Sequence, residues 1–272
     1  MYADDITLKI SRCTKEELEE TTNGEISHVH QFLHVNNLFL NIEKTKIITF
    51  STKQNSNKII PDIKIDNKKL KQETNVKYLG LIFDEHLSWN LQIENILNKI
   101  ASGIYALQKM SYLCSTNTLK SIYFSHIHSH ISYGITIYGN TKNENLNKIL
   151  KMQKKAIRII LRLKPEESVK LHFVSLNILT VFSQYVYETT ILAKNAPKLI
   201  NDHKYNTRKK SLVNYHRLEM FKKKPSYIGK KFLSKLSTEI KEEENLKLFK
   251  SKLKKYLIKK PLYSFDEFLQ EN

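Results

Sequence analysis

Cysteine is nearly absent from this sequence, and so are apolar runs long enough to span a bilayer. Cys13 and Cys114 stand about a hundred residues apart in a chain of 272 residues. They provide neither a disulfide framework nor a pair of zinc ligands, which excludes the small disulfide-stapled classes and suits a reducing compartment. The first residues carry no signal-peptide pattern, and together these absences weaken the membrane option, so we expect no membrane partner.

Acidic residues are few relative to basic ones. The chain has 27 Asp and Glu against 45 Lys and Arg, a net charge of +18 with an isoelectric point near 9.6. Between Lys204 and Lys260, 19 Lys and Arg face 5 Glu and no Asp, a net charge of +14. This excess favours a polyanionic partner such as nucleic acid or an acidic membrane surface, and the alternative is a solvated lysine-rich surface.

Apolar spacing predicts an α+β protein. Segments 6–10, 46–51 and 76–83 have the apolar content of strands. Thr14, followed three residues later by Glu17, indicates a capping box that starts a helix, and Asn36 would end it. From about residue 91 the spacing becomes helical, with further helices predicted at 119–132, 144–163 and 169–194 and a basic amphipathic helix at 245–259.

Two adjacent carboxylates, Asp4 and Asp5, open the chain after Tyr2 and Ala3. Neighbouring side chains on a regular strand point to opposite faces, so both acids reach one cation only if the backbone turns there. Nucleotidyl transfer uses such carboxylates to hold paired Mg²⁺ ions. The alternative for an isolated Asp-Asp pair is a polar turn or a helix cap.

Four segments that follow Tyr-Ala-Asp-Asp give it a context. They are residues 38–45 (Leu-Phe-Leu-Asn-Ile-Glu-Lys-Thr), 47–50 (Ile-Ile-Thr-Phe), 76–84 (Val-Lys-Tyr-Leu-Gly-Leu-Ile-Phe-Asp) and 87–89 (Leu-Ser-Trp). In this order and spacing they resemble the later motifs of reverse transcriptases from jockey-like, non-LTR retrotransposons. Weaker matches continue at 122–123, 133–134 and 153–160, then at 207–208, 227–229 and 249–250, so the resemblance covers nearly the whole chain.

The resemblance implies roles for the residues around the catalytic turn. Asp4 would coordinate catalytic Mg²⁺ and Asp5 would be a second or outer ligand, while Tyr2 would shape the turn beside the primer terminus. Lys44 would lie near the leaving pyrophosphate, where a cation offsets developing charge. Its alternative is an ordinary surface lysine.

The resemblance also implies contacts with the nucleic acid. Tyr78, Leu79 and Gly80 correspond to the hairpin called the primer grip. Phosphate contacts would come from three basic groups, each with a solvated surface as its alternative. These groups are Lys154, Lys155 and Arg158; Arg208, Lys209 and Lys210; and Lys222, Lys223 and Lys224. His126, His128 and His130 also lie close together, but without a nearby Cys or acid they favour packing over metal binding.

The implied architecture is an incomplete reverse-transcriptase palm at 1–90, followed by a mainly α-helical thumb and connection at 91–272. An RNA template, a DNA primer and deoxynucleoside triphosphates would be its partners, with a nuclear or cytoplasmic location. Enzymes of this class use a further aspartate upstream of the Tyr-Ala-Asp-Asp turn, so we expect the isolated chain not to polymerise. The alternative is a non-catalytic nucleic-acid-binding remnant of a retrotransposon protein.

Overall fold

The chain forms two compact units, Met1–Leu91 and Gln92–Asn272. The computed structural model describes residues 5–53, 60–65, 68–196 and 216–270, apart from the side chain of Met220. The first elements are α1 (Lys15–Val35), β1 (Lys64–Ile65), β2 (Lys68–Lys69), β3 (Asn75–Tyr78) and β4 (Leu81–Asp84). This mixture of a helix with small sheets, followed by many helices, agrees with the predicted α+β class.

The rest of the described chain is helical. Its helices are α2 (Asn90–Met110), α3 (Thr116–Tyr123), a π-helical turn (Phe124–His128), α4 (Ser129–Ser132), α5 (Ile135–Tyr138), α6 (Asn143–Leu161), α7 (Lys170–Ser175), α8 (Val181–Asn195), α9 (Glu219–Lys222), α10 (Pro225–Lys235), α11 (Thr238–Lys241), α12 (Leu246–Lys259) and α13 (Phe265–Leu269). In the ranges described, none of these helices combines the length and apolar character that crossing a bilayer requires.

Helix α1 begins and ends at the predicted residues. The Thr14 hydroxyl accepts a hydrogen bond from the Glu17 N–H at 3.3 Å, which satisfies one of the unpaired donors at the start of the helix. At the other end, the Asn36 side-chain amide donates to the Phe32 carbonyl oxygen at 2.7 Å. Leu33 is the buried residue of this helix, which is otherwise largely solvated.

A small apolar core joins α1 to the β1–β2 hairpin. Ile63, Ile65 and Leu70 are buried together, and Ile26 of α1 packs against them. Polar contacts reinforce this packing, because Asn23 exchanges hydrogen bonds with the backbone on both sides of Ile63. Its side-chain amide donates to the Asp62 carbonyl at 3.2 Å, and its oxygen accepts from the Lys64 N–H at 3.0 Å.

Two of the three predicted strands are wrong, and the third, segment 76–83, is divided into two strands by a turn. Residues 6–10 form no strand, and Ile6 and Leu8 are 36% and 42% exposed. Segment 46–51 contributes one isolated parallel bridge, from Ile47 to Gln72. The physical reason is that alternating side chains make a strand only where a neighbouring backbone supplies a hydrogen-bonding ladder, and neither segment has one in the part of the chain described.

The third segment folds as an antiparallel hairpin, with Tyr78 paired to Leu81 across a two-residue turn. Both turn residues have positive φ, 44° at Leu79 and 80° at Gly80. Positive φ at both central positions is the requirement of the type I′ turn, whose twist matches that of the flanking strands. The glycine satisfies it at no steric cost, whereas Leu79 is held there by the hairpin.

Asp84 organises the backbone after β4. Its carboxylate accepts hydrogen bonds from the N–H groups of His86, Ser88 and Trp89 at 3.0 to 3.1 Å. Burial opposes ionisation of this carboxyl, but the hydrogen bonds from Ser88, Trp89 and His86 outweigh it and lower the pKa of Asp84. The charged form therefore closes the turn that leads into α2.

In the helical unit, α8 is buried along most of its length. Helix α10 approaches it closely because Gly229 has no side chain: a Cβ there would lie 2.3 Å from the Thr189 carbonyl oxygen and 3.0 Å from the Ala193 Cβ. Segment 169–194 was predicted as one helix, which is wrong, because the chain breaks into α7 and α8. Asn177 takes a left-handed conformation (φ 54°), and the Thr180 hydroxyl then caps α8 by accepting from the Ser183 N–H.

A fully buried amide, Gln153 of α6, ties three segments of this unit together. Its Nε2 donates to the Tyr123 hydroxyl at 2.8 Å and to the Leu179 carbonyl at 3.2 Å. Its Oε1 accepts from the Val181 N–H at 2.8 Å. Every polar atom of the side chain is thus satisfied, which is the condition under which a buried amide stabilises a fold.

The histidines of segment 126–130 lie in and beside the π-helical turn. His128 packs against two aromatic rings: it is stacked with Tyr123 at 6.5 Å and edge-to-face with Phe124 at 5.2 Å between centroids. Its Nδ1 is buried and has no hydrogen-bond partner among the residues described. Burial, and to a lesser degree the Lys254 ammonium of α12, lower the pKa of His128, so it is a packed neutral residue.

Replacing Asp84 by Ala is expected to destabilise the first unit by about 1 kcal/mol, because three backbone donors lose their acceptor. Trp89 is the single tryptophan of the chain and contacts Phe83, so its fluorescence during urea unfolding reports on this region. Asp84→Asn keeps one carbonyl oxygen, so its unfolding midpoint should lie between those of the unsubstituted protein and Asp84→Ala. Equal midpoints for all three would contradict the role given to the carboxylate.

Replacing Gly229 by Ala is expected to destabilise the helical unit by about 1 to 3 kcal/mol, because the new methyl group forces α8 and α10 apart. The control is Gly24→Ala in α1, where a Cβ would meet nothing within 4 Å. That change should stabilise by roughly 0.5 to 1 kcal/mol through helix propensity alone. The stability of both variants is measured by urea unfolding, with circular dichroism for Gly229→Ala and Trp89 fluorescence added for Gly24→Ala. An unchanged free energy of unfolding in Gly229→Ala would refute the close packing.

Lowering the pH from 7.5 to 5.5 is expected to destabilise the helical unit. The folded pKa of His128 lies below its unfolded value of 6.5, so the folded state binds fewer protons and stability falls as the pH drops through that value. Thermal melts of His128→Phe should show a weaker pH dependence. His130 contributes to the remaining slope, because burial and the neighbouring charges of Lys99 and His126 also lower its pKa. The comparison variant is His126→Gln, an exposed neighbour, which should change the slope less than His128→Phe because it acts only through His130. An unchanged slope in His128→Phe would contradict the assignment.

Candidate nucleic-acid interface

The predicted metal-binding turn lies at the edge of the described chain. Tyr2 and Asp4 fall outside the described residues, whereas Asp5 is included and exposed. Over the ranges that are described, no three or more His, Cys, Asp and Glu side chains form a group that could hold a metal ion. The assignment of Mg²⁺ to Asp4 and Asp5 therefore stays a prediction.

Lys44 lies on a short hydrogen-bonded turn. Its N–H donates to the Asn41 Oδ1 at 3.1 Å, and the Thr45 hydroxyl donates to the Asn41 carbonyl oxygen at 2.8 Å. Asn41 therefore closes the turn with its side chain and its backbone, as asparagine commonly does in loops. The Lys44 side chain is exposed, a position open to an anion and equally ordinary for a surface lysine.

The hairpin turn of residues 78–80 brings the three predicted primer-grip residues together. Tyr78 is partly buried, with its ring 6.5 Å from that of Phe83, which in turn lies 5.3 Å from Trp89. Leu79, at the tip, is 37% exposed. A row of aromatic rings thus supports a turn that offers an apolar side chain and a glycine backbone to the solvent.

Helix α6 carries three of the predicted phosphate contacts. Ile157 and Ile160 are buried, as predicted, which turns the basic residues towards other faces of the helix. Lys155 is exposed, whereas Lys154 and Arg158 are half-buried. The orientation of the helix is confirmed, and the contact with nucleic acid stays a prediction.

Tyr263 is a neighbour of α6 that the sequence did not reveal. The Lys154 ammonium lies 3.8 Å from the centre of the Tyr263 ring, and that of Lys170 lies 5.0 Å from it. These distances are those of cation–π interactions. Tyr263 stands more than a hundred residues after Lys154, so no local pattern connects the two.

The basic groups of the tail differ in what the structure says of them. Arg208, Lys209 and Lys210 lie outside the described residues. Lys222 forms an ion pair with Glu219, while Lys223 and Lys224 are exposed. These lysines adjoin a cluster of rings rather than free aromatic faces, because Phe221 stacks on His216 at 3.5 Å and lies 6.0 Å from Tyr227.

Helix α12 is the basic amphipathic helix that the spacing predicted. It buries Phe249, Leu253 and Leu257. Its other positions carry six lysines at 247, 250, 252, 254, 255 and 259. Of these, Lys252 pairs with Glu243 at 2.6 Å. The uneven distribution of charge gives the helical unit a strongly cationic surface.

Comparison with known proteins identifies one relative. The chain is 28% identical over 131 residues to the RNA-directed DNA polymerase from mobile element jockey of Drosophila melanogaster. The match covers 46% of this chain and only 14% of that protein. No protein-family model and no solved structure matches the chain. This distant, partial similarity supports a reverse-transcriptase-like origin for the protein.

Proposed function

We propose that the chain is part of the polymerase of a jockey-like mobile element. Such an RNA-directed DNA polymerase extends a DNA primer by copying an RNA template. Residues 1–90 would belong to its palm and residues 91–272 to a helical thumb and connection. The relative covers less than half of the chain, so the proposal depends on the local features as well as on the similarity.

The observation that carries the proposal is the hairpin turn of residues 78–80. The reverse-transcriptase motif requires a tight turn with a glycine at which the backbone can approach a primer end. This chain has such a turn, with Gly80 at φ 80°, an exposed Leu79 beside it and aromatic support beneath. It follows the Tyr-Ala-Asp-Asp segment in the order that the motif requires.

The chemistry proposed for the site is divided among few residues. Asp4 and Asp5 would hold Mg²⁺, which when bound would stabilise charge on the attacking 3′-oxygen and the triphosphate. Lys44, exposed on its turn, would offset charge on the leaving pyrophosphate. Tyr78, Leu79 and Gly80 would position the primer terminus without taking part in bond formation.

The helical unit would hold the duplex through its phosphates. The exposed lysines of α12, together with Lys155 and Lys223, supply charge that is independent of base sequence. Binding of this kind releases counterions and weakens steeply with salt. The helical unit would thereby supply affinity, while the palm residues supply the position of the 3′ end.

A primer–template cross-link tests the position of the 3′ end. The 272-residue chain is mixed with an RNA template annealed to a DNA primer whose last nucleotide is a photoreactive thymidine analogue, and it is then irradiated and digested. The expected cross-link falls within residues 75–84. Leu79→Asp should abolish most of it, because the new carboxylate repels the primer phosphates.

Leu87→Asp is a matched control for that experiment. Leu87 is also 37% exposed and also has positive φ, 50° against 44° at Leu79, a region that Asp tolerates better than most residues. It should leave the cross-link unchanged, and Trp89 fluorescence verifies that both variants fold. A cross-link confined to residues outside 75–84 would refute the palm assignment.

A second candidate, a non-catalytic nucleic-acid-binding remnant, is favoured by the concentration of cations in the helical unit. Those cations need no carboxylate turn in order to bind a polyanion. On this alternative, binding remains strongly salt-dependent, but cross-links fall only in the helical unit and Leu79→Asp has no effect. The same experiment therefore separates the two candidates.

A further inference from the structure

Two ammonium groups from two helices lie over the ring of Tyr263, and the charge of Arg158 also acts on this tyrosine. Lys154 and Arg158 stand one turn apart on α6, and Lys170 begins α7. The ammonium groups of Lys154 and Lys170 lie 3.8 and 5.0 Å from the ring centre. Tyr263 lies in the short segment between α12 and α13, four residues before Glu267.

Acidic groups only partly balance this cluster. Glu267 pairs with Lys170 at 3.3 Å and also accepts a hydrogen bond from the Tyr263 N–H at 3.4 Å. Within the described ranges, neither Lys154 nor Arg158 forms an ion pair. Arg158 Nη2 instead donates to the uncharged carbonyl of Glu167 at 3.1 Å.

Two observations indicate that the positive charges of the cluster outweigh the acidic group beside them. The Nε of Arg158 is buried and has no hydrogen-bond partner among the residues described. Burial lowers the pKa of Lys154, and the neighbouring charges of Arg158, Lys170 and Lys151 lower it further. Like charges are held together at a half-buried place, and an anion there would relieve their repulsion.

We propose that Lys154, Arg158 and Lys170, arranged around Tyr263, form a phosphate-binding site that holds one phosphodiester of a nucleic-acid strand. A phosphate suits the cluster because two ammonium groups and a guanidinium offer several donors to its oxygens. The ring of Tyr263 lies against Lys154, so it orients a cation rather than stacking on a base. The strand as occupant rests on the proposed function.

The expected loss of affinity is specific to the cluster. Lys154→Gln and Lys170→Gln should each weaken binding of a single-stranded oligonucleotide by about 5-fold at 0.1 M salt and reduce the salt slope by about 0.7. The matched control is Lys109→Gln, since Lys109 lies over an exposed tyrosine, Tyr105, at 5.4 Å. That control should leave both quantities unchanged.

Lysine footprinting of the chain without substitutions gives a second readout, which a folding defect in a variant cannot imitate. Lysines are acetylated briefly, with and without the oligonucleotide, and again with inorganic pyrophosphate in its place, and each site is quantified by mass spectrometry. A lowered pKa leaves more of the reactive neutral amine, so Lys154 should react readily in the free protein and be protected in the complex. Lys109 should react equally in all samples.

The outcomes separate the site from the proposed function. Protection of Lys154 by the oligonucleotide, with selective loss in Lys154→Gln, supports the proposal. Tight binding with Lys154 unprotected and Lys154→Gln unaffected overturns the site and leaves nucleic-acid binding intact. Protection by pyrophosphate alone overturns the strand as occupant, and absence of any binding or protection overturns both.

Discussion

The buried amide of Gln153 is the interaction on which the arrangement of the helical unit depends. It joins the end of α3, the loop before α8 and the first turn of α8 to one position on α6. Leaving this buried amide without hydrogen-bond partners would raise the free energy of the folded state. The three segments are therefore held in the one relative position that satisfies it. Because Lys154 follows Gln153 on α6, its backbone is fixed by the same hydrogen bonds.

A second buried contact places the other half of the cationic cluster. The Thr180 hydroxyl, which caps α8, donates to the Leu262 carbonyl oxygen at 2.7 Å, and the Leu262 N–H donates to the Ser183 hydroxyl at 3.2 Å. Tyr263 follows Leu262 directly. Lys154 follows Gln153 and Tyr263 follows Leu262, and both Gln153 and Leu262 are hydrogen-bonded to the start of α8. These buried bonds hold Lys154 and Tyr263 in place, which explains how positive charges can be kept close together.

The first unit relies on turns more than on a large core. Asp84 gathers backbone donors after the hairpin, and Asn41 does the same before Lys44. Turns fastened in this way hold loop side chains in fixed positions at the surface. The same chain also contains a cationic helical unit, and its distant, partial similarity is to a mobile-element polymerase.

Local order was determined by the sequence alone. The Thr14 cap and the buried faces of α6 and α12 depend on residues within a few positions of each other, and each was predicted. The turn at Gly80 was implied by the family resemblance, whereas the local apolar pattern indicated one strand. Tertiary structure decided the rest: segments 6–10 and 46–51 alternate like strands but have no ladder, and Asn177 divides a helix that periodicity joined. It also brought Tyr263 to Lys154, because contacts between residues a hundred positions apart arise from packing, which no local pattern encodes.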